Sequence, residues 1–168
     1  MALPELRLTA LSERRRCVSG KRCAVCMESA SGSRDTARTV SQQNLDALKE
    51  LYAAWAIGDW SDTSIFDPHV VGVFPDPTPR PHYGLEALGD YMRRFLESWD
   101  DIRMEATNYR EVGDSFVVRV RRTARGSGSG VQLDDESIHV WTFRGKTVIR
   151  MELFEQESAA FKAAGLSE

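Results

Sequence analysis

The 168-residue sequence has no cysteine beyond Cys26 and no window close to the ~20 continuous apolar residues that a membrane span needs. It has no excess of positive charge: 22 Lys and Arg against 25 Asp and Glu leave −3. No run of roughly 7–15 apolar residues follows the early arginines, so a secretory signal is missing. Nor is there a nucleotide- or metal-binding motif with a full complement of ligands. These absences argue against a membrane protein, a nucleic-acid binder and a secreted disulfide scaffold. With 42% hydrophobic and 28% charged residues, the composition is that of an ordinary globular domain and not of a disordered chain. A reducing cytoplasm is the expected compartment.

The average conceals two kinds of sequence. Residues 1–38 carry a net charge of +4 and residues 39–168 a net charge of −7. The first stretch holds Arg14-Arg15-Arg16, the linker-like Ser29-Ala30-Ser31-Gly32-Ser33 and all three cysteines, Cys17, Cys23 and Cys26. It has no sustained apolar period, and it is expected to be a disordered basic leader. Cys23-Ala24-Val25-Cys26 has the spacing of zinc and redox motifs, but a structural zinc needs four ligands and the next candidate beyond Cys17 is His69. No metal and no cofactor is therefore expected.

From residue 39 on, periodicity places the elements. Leu45, Leu48, Tyr52 and Trp55 form one stripe of a helix over 43–57, with Thr39 or Ser41 as its cap and Gly58 as its stop. A short helix over 59–66 and a strand over 70–74 follow. Four prolines between Pro75 and Pro81 impose an irregular loop. Leu85, Leu88, Met92, Phe95, Leu96 and Trp99 mark a helix over 85–99. Alternation then gives strands over 102–107, 116–125, 131–143 and 147–155, and a short helix over 158–164. Helices followed by a run of antiparallel strands predict an α+β layer, with the helices on one face of a curved sheet.

Turn geometry gives a first estimate of the faces. A hairpin at Arg144-Gly145 puts Ser137, His139, Trp141, Val148, Arg150, Glu152 and Phe154 on one side. A hairpin centred near Gly128 adds Val117, Arg119, Arg121 and Thr123, unless a one-residue bulge intervenes. The other side reads Phe116, Val118, Val120, Ile138, Val140, Ile149, Met151 and Leu153, an apolar face suited to pairing two copies of the chain as a homodimer. The polar side has two readings. It is a half-solvated Arg–Glu network, or it is a pocket wall completed by Tyr52, Trp55, Phe95 and Trp99.

The order Leu51-Tyr52-Ala53-Ala54-Trp55, Gly58-Asp59-Trp60, Phe66-Asp67-Pro68-His69-Val70, Tyr83-Gly84-Leu85-Glu86-Ala87-Leu88 and His139-Val140-Trp141-Thr142-Phe143-Arg144-Gly145-Lys146 resembles the SnoaL-like polyketide cyclases. Those belong to the nuclear transport factor 2-like superfamily, which also holds the ketosteroid isomerases. The resemblance covers about residues 41–166. It implies a cone-shaped α+β barrel, a pocket inside the curved sheet and dimerisation through the outer sheet face. The isomerases' catalytic aspartate corresponds to about Phe74, which cannot act as a base. Their helix tyrosine falls near Leu51, one residue from Tyr52, and their strand carboxylic acid falls at His139. Arg119, Glu152 and Arg150 are a loose counterpart of the Arg–Asp–Arg set of limonene-epoxide hydrolases.

Two functions follow as expectations. The first is a cofactor-free isomerase, cyclase or hydrolase, with His139 as acid/base, Glu152 orienting it, and Arg119 or Arg150 holding an oxyanion. The second is a non-catalytic domain that binds a small apolar or carboxylated molecule. Its ligand-binding set would be Tyr52, Trp55, Phe74, Phe95, Trp99, Arg119, Arg121, Trp141 and Arg150. A pure dimerisation scaffold is a third reading.

Overall fold

The computed structural model of the protein describes residues 28–75 and 80–166, with side chains from residue 38 on. In chain order come α1 (Glu28–Ala56), β1 (Phe66–Val73), β2 (Pro81–Tyr83), α2 (Gly84–Glu97), β3 (Trp99–Val112), β4 (Ser115–Gly126), β5 (Gln132–Arg144), β6 (Thr147–Phe154) and α3 (Glu157–Ala163). The strands form one sheet in the order β2-β1-β6-β5-β4-β3, antiparallel throughout except between β1 and β6. The sheet is curled into an open cone and not closed, so the expected α+β architecture stands.

The helical stripe does what its spacing requires. Leu48, Leu51, Tyr52 and Trp55 of α1 are buried against Val118, Val120, Trp141 and Phe143 of the sheet. Asn44 ties the same helix to the β5–β6 turn, donating from Nδ2 to the Gly145 carbonyl at 2.9 Å. At the other end Gly58 takes φ +80°, and the Asp59 N–H closes back onto the Ala54 carbonyl at 2.9 Å. α2 lies close on β1 at Gly72, where a Cβ would sit 2.8 Å from Leu88 Cδ1.

Several boundaries differ from the sequence-based expectation. α1 runs back to Glu28, through Ser29–Ser33 and past Thr39 and Ser41, so neither of these caps it. The remainder of the expected leader, residues 1–27 with all three cysteines, lies outside the described residues. No helix forms over 59–66. Asp59 accepts from the Ser61 N–H and hydroxyl, and Asp62 from the Ser64 N–H, local bonds that compete with helical ones. The proline loop ends in the three-residue edge strand β2, a position where a proline costs no ladder bond.

The larger correction concerns the faces. β4 and β5 pair as Val118↔His139 and Arg122↔Asp135. Their connection closes one residue away from a Gly128-centred turn, with Gly126 N–H donating to the Val131 carbonyl at 2.7 Å. In β6 the register shifts between Thr142 and Phe143, which pair with Arg150 and Val148, leaving Ile149 as the extra residue of a bulge. Each single-residue step exchanges the two faces of a strand. The concave side therefore carries Phe116, Val118, Val120 and Arg122 beside Ser137, His139 and Trp141, with Met151 and Leu153 opposite. Arg119, Arg121, Arg150 and Glu152 lie on the convex side with Ile138 and Val140. Most of the apolar set expected to join two chains is thus the filled interior of one. Ile138 and Val140 instead pack with Val117 under Ala160 of α3.

Candidate functional site

At the centre of the concave face is a chain of buried polar groups. Trp141 Nε1–H donates to Tyr52 Oη at 2.9 Å, Tyr52 Oη lies 2.7 Å from His139 Nδ1, and His139 Nε2 lies 3.1 Å from Ser137 Oγ. The hydrogen-bond pattern assigns the protons. Tyr52 Oη accepts from Trp141, and His139 Nδ1 is the acceptor beside it among the described contacts, so its own hydrogen goes to Nδ1 across the short contact. Nε2 then carries the ring proton and donates to Ser137. Trp141 and His139 are both 0% exposed. Burial, helped by the Arg122 charge, pushes the His139 pKa down to about 3. Burial likewise drives the Tyr52 phenol well above its ordinary value, partly countered by the Trp141 bond. The imidazole is a neutral, doubly hydrogen-bonded group at neutral pH.

Beside His139 a cavity of about 190 Å³ opens toward α2. Phe74, Tyr91, Phe95 and Trp55 supply aromatic walls, with Met104, Met151 and Leu153 between them. Phe74 and Tyr91 stack at 4.1 Å, and His82 lies 4.6 Å from Tyr91. The charged member of the lining is Arg122. Its guanidinium grips Asp135 in a two-bond fork at 2.9 and 2.7 Å, and its side chain is only 16% exposed. The site is an apolar sleeve with one planar cation and one neutral imidazole in its wall. Such a site can hold a flat or aliphatic body and present the Arg122 guanidinium to its end group.

Of the residues expected from sequence, His139, Trp55, Phe74 and Phe95 line this cavity. Tyr52 and Trp141 stand behind His139 as its supports. Trp99 is half-buried and continues the aromatic row past Phe95, at 6.4 Å, without lining the cavity. The expected orientation of His139 by Glu152 is overturned: Glu152 is paired across the sheet with Val140 on the convex side and is bonded to Arg150 at 2.8 Å. Arg119 and Arg121 are likewise directed outward, bonded to Glu136 and Glu157 and to Asp134 respectively. The arginine that lines the cavity is Arg122, which is outside the expected set. Its signal was the alternation of β4 itself, where apolar Phe116, Val118 and Val120 share its parity. Among the described residues no group of three or more His, Cys, Asp or Glu is arranged to hold a metal ion, and no helix is long and apolar enough to cross a membrane.

Solved structures share this architecture. A SnoaL-like protein from Jannaschia sp. CCS1 aligns with a TM-score of 0.61 at 21% identity, over 76% of this chain and 94% of its own. A nuclear transport factor 2-like protein from Burkholderia pseudomallei gives 0.61 at 18% identity, over 74% and 98%. TerC, co-crystallised with polyporic acid, gives 0.60 at 22% identity, over 74% and 99%. At these identities the likeness is one of fold. Among curated proteins, none matches the chain. The SnoaL-like domain profile matches residues 34–151, more than half of the sequence and nearly all of the region that builds the cavity, and the chain accordingly belongs to the SnoaL-like domain family.

Proposed function

We propose that this domain binds a small, mainly apolar molecule whose anionic or acceptor end meets Arg122 on the wall of the concave cavity. The observation that carries the reading is a guanidinium, largely shielded from water, in an otherwise aromatic and aliphatic lining. A charge in such a place favours a ligand carboxylate or enolate, which can share or replace Asp135 in the fork. TerC, of the same fold, was co-crystallised with an organic acid. The test is calorimetric titration of the protein with benzoate. Saturable binding that Arg122→Met weakens at least tenfold supports the proposal; binding unaffected by Arg122→Met, or none, overturns it.

A second reading is catalysis of isomerase, cyclase or hydrolase type by side chains alone. One observation favours it: His139 stands on the cavity wall. Both ring nitrogens are already engaged by Ser137 and Tyr52, so acid–base work requires a substrate to displace one of them. Binding can use the Arg122 Nη1 donors that Asp135 does not engage, without such an exchange, and it is the first reading for that reason. Turnover of a candidate carbonyl substrate that His139→Gln abolishes, with binding retained, would reverse this order.

A further inference from the structure

A second cavity, of about 280 Å³, lies between α2 and residues 60–66, walled by Trp60, Phe66, Leu85, Leu88 and Leu96. It shares three residues with the first: Trp55, Met92 and Met151 line both. Neither volume alone reaches the roughly 300 Å³ at which ordinary small-molecule sites begin. The shared wall is also uneven in stiffness. Trp55 is buried, edge-on to Tyr52 and stacked on Trp60 at 5.0 Å, and Met151 is buried in the sheet. Met92 is only half-buried, on α2, and an unbranched thioether turns about three bonds at little cost.

We infer that the two cavities are compartments of one elongated ligand site, with Met92 as the movable partition. The ligand class is a molecule with its acidic end at Arg122 and a second apolar group reaching past Met92 to lie against Trp60, Phe66 and Leu88. This rests on the small-molecule reading above and adds length and a second apolar end to it. Met92 then determines specificity by size, because its side chain decides whether a long ligand is admitted or stopped at the first compartment.

The test compares benzoate with a benzoate carrying a phenylbutoxy chain para to the carboxylate, by calorimetry on the full chain. The longer probe is expected to bind at least about tenfold tighter, since its second ring leaves water only if the partition opens. Met92→Trp should erase that gain, so that the two probes bind with similar affinity. Gly89→Leu is a second variant aimed at the far compartment. Gly89 is an exposed residue of α2 at the edge of that cavity, and a Cβ there meets nothing within 4 Å, so a leucine can be placed at the cavity's mouth. It should erase the same gain. Equal affinity for both probes in the unmodified protein, or equal weakening of both probes by the two variants, overturns the shared site. Failure of benzoate itself to bind overturns the small-molecule reading and this one together, which separates the two failures.

Discussion

The two faces of β4, β5 and β6 use the same strands and nearly the same residue types to opposite ends. On the convex face, Arg119 bonds Glu136 and Glu157, Arg121 bonds Asp134, and Arg150 bonds Glu152. Apart from Glu152, whose side chain is largely covered, these groups are well exposed to water, where an ion pair contributes little beyond solubility and some fixing of α3. On the concave face, polar groups are few: the Trp141–Tyr52–His139–Ser137 chain and the Arg122–Asp135 fork. The concave groups other than the half-exposed Asp135 are buried or nearly so, and no buried side-chain polar atom among the described residues lacks a partner. The face with more charge is the less consequential one. Low dielectric, and not the number of ionic groups, makes a polar residue matter here.

That contrast can be broken or sharpened by experiment. The largest effect is expected from Trp141→Ala, which empties the centre of the concave face. A loss of about 3–5 kcal/mol in urea unfolding is the expectation for a fully buried tryptophan. Second is a pH effect owed to His139. Its pKa is about 3 when folded and near 6.5 when unfolded, so between these values the unfolded chain binds the extra proton. Stability is therefore complete above about pH 6.5 and falls as the pH drops toward 3, by about 1.4 kcal/mol per pH unit from this group alone. Between about pH 6.5 and 5, above the carboxylate range, His139→Gln should flatten this slope in urea titrations. An unchanged slope would show that the imidazole is not held neutral.

Third, Tyr52→Phe keeps the ring and removes the hydroxyl that joins Trp141 to His139. Two buried groups are left without partners, and a loss of about 1–3 kcal/mol is expected by urea unfolding. The smallest effect belongs to the convex ladder. Arg121→Ala should leave the urea midpoint unchanged within error, and any small difference should vanish in high salt. If Arg121→Ala cost as much as Tyr52→Phe, the contrast between the faces would fail.

Much of the architecture was legible in the sequence. The stripes Leu48–Tyr52–Trp55 and Leu88–Met92–Phe95, the alternation of four long strands and the glycine stop at Gly58 fixed the class and most element boundaries. The site was half legible. Aromatic identity and helical spacing brought Trp55, Phe74 and Phe95 to the cavity, and His139 came with its strand. The arginine faces are not legible from turn geometry, because one residue in the Gly126–Gly130 loop and one bulge residue at Ile149 each reverse a strand. The binary pattern was the stronger guide. Phe116, Val118 and Val120 alternate with Arg119 and Arg121, and Met151 and Leu153 with Arg150 and Glu152, so each apolar set belonged with Trp141 inside.

By itself, then, the sequence determined an acidic α+β domain whose helices and strands each have one face that water disfavours. Periodicity is a local property, and burial of apolar surface enforces it. Only the tertiary structure decided which arginine meets the cavity, that Glu152 is turned away from His139, and that His139 has both nitrogens occupied. Those outcomes depend on register between strands distant in sequence and on hydrogen bonds spanning 87 and 89 residues, from Tyr52 to His139 and to Trp141. Neither propensity nor spacing carries that information, because it arises only when α1 closes over the curled sheet.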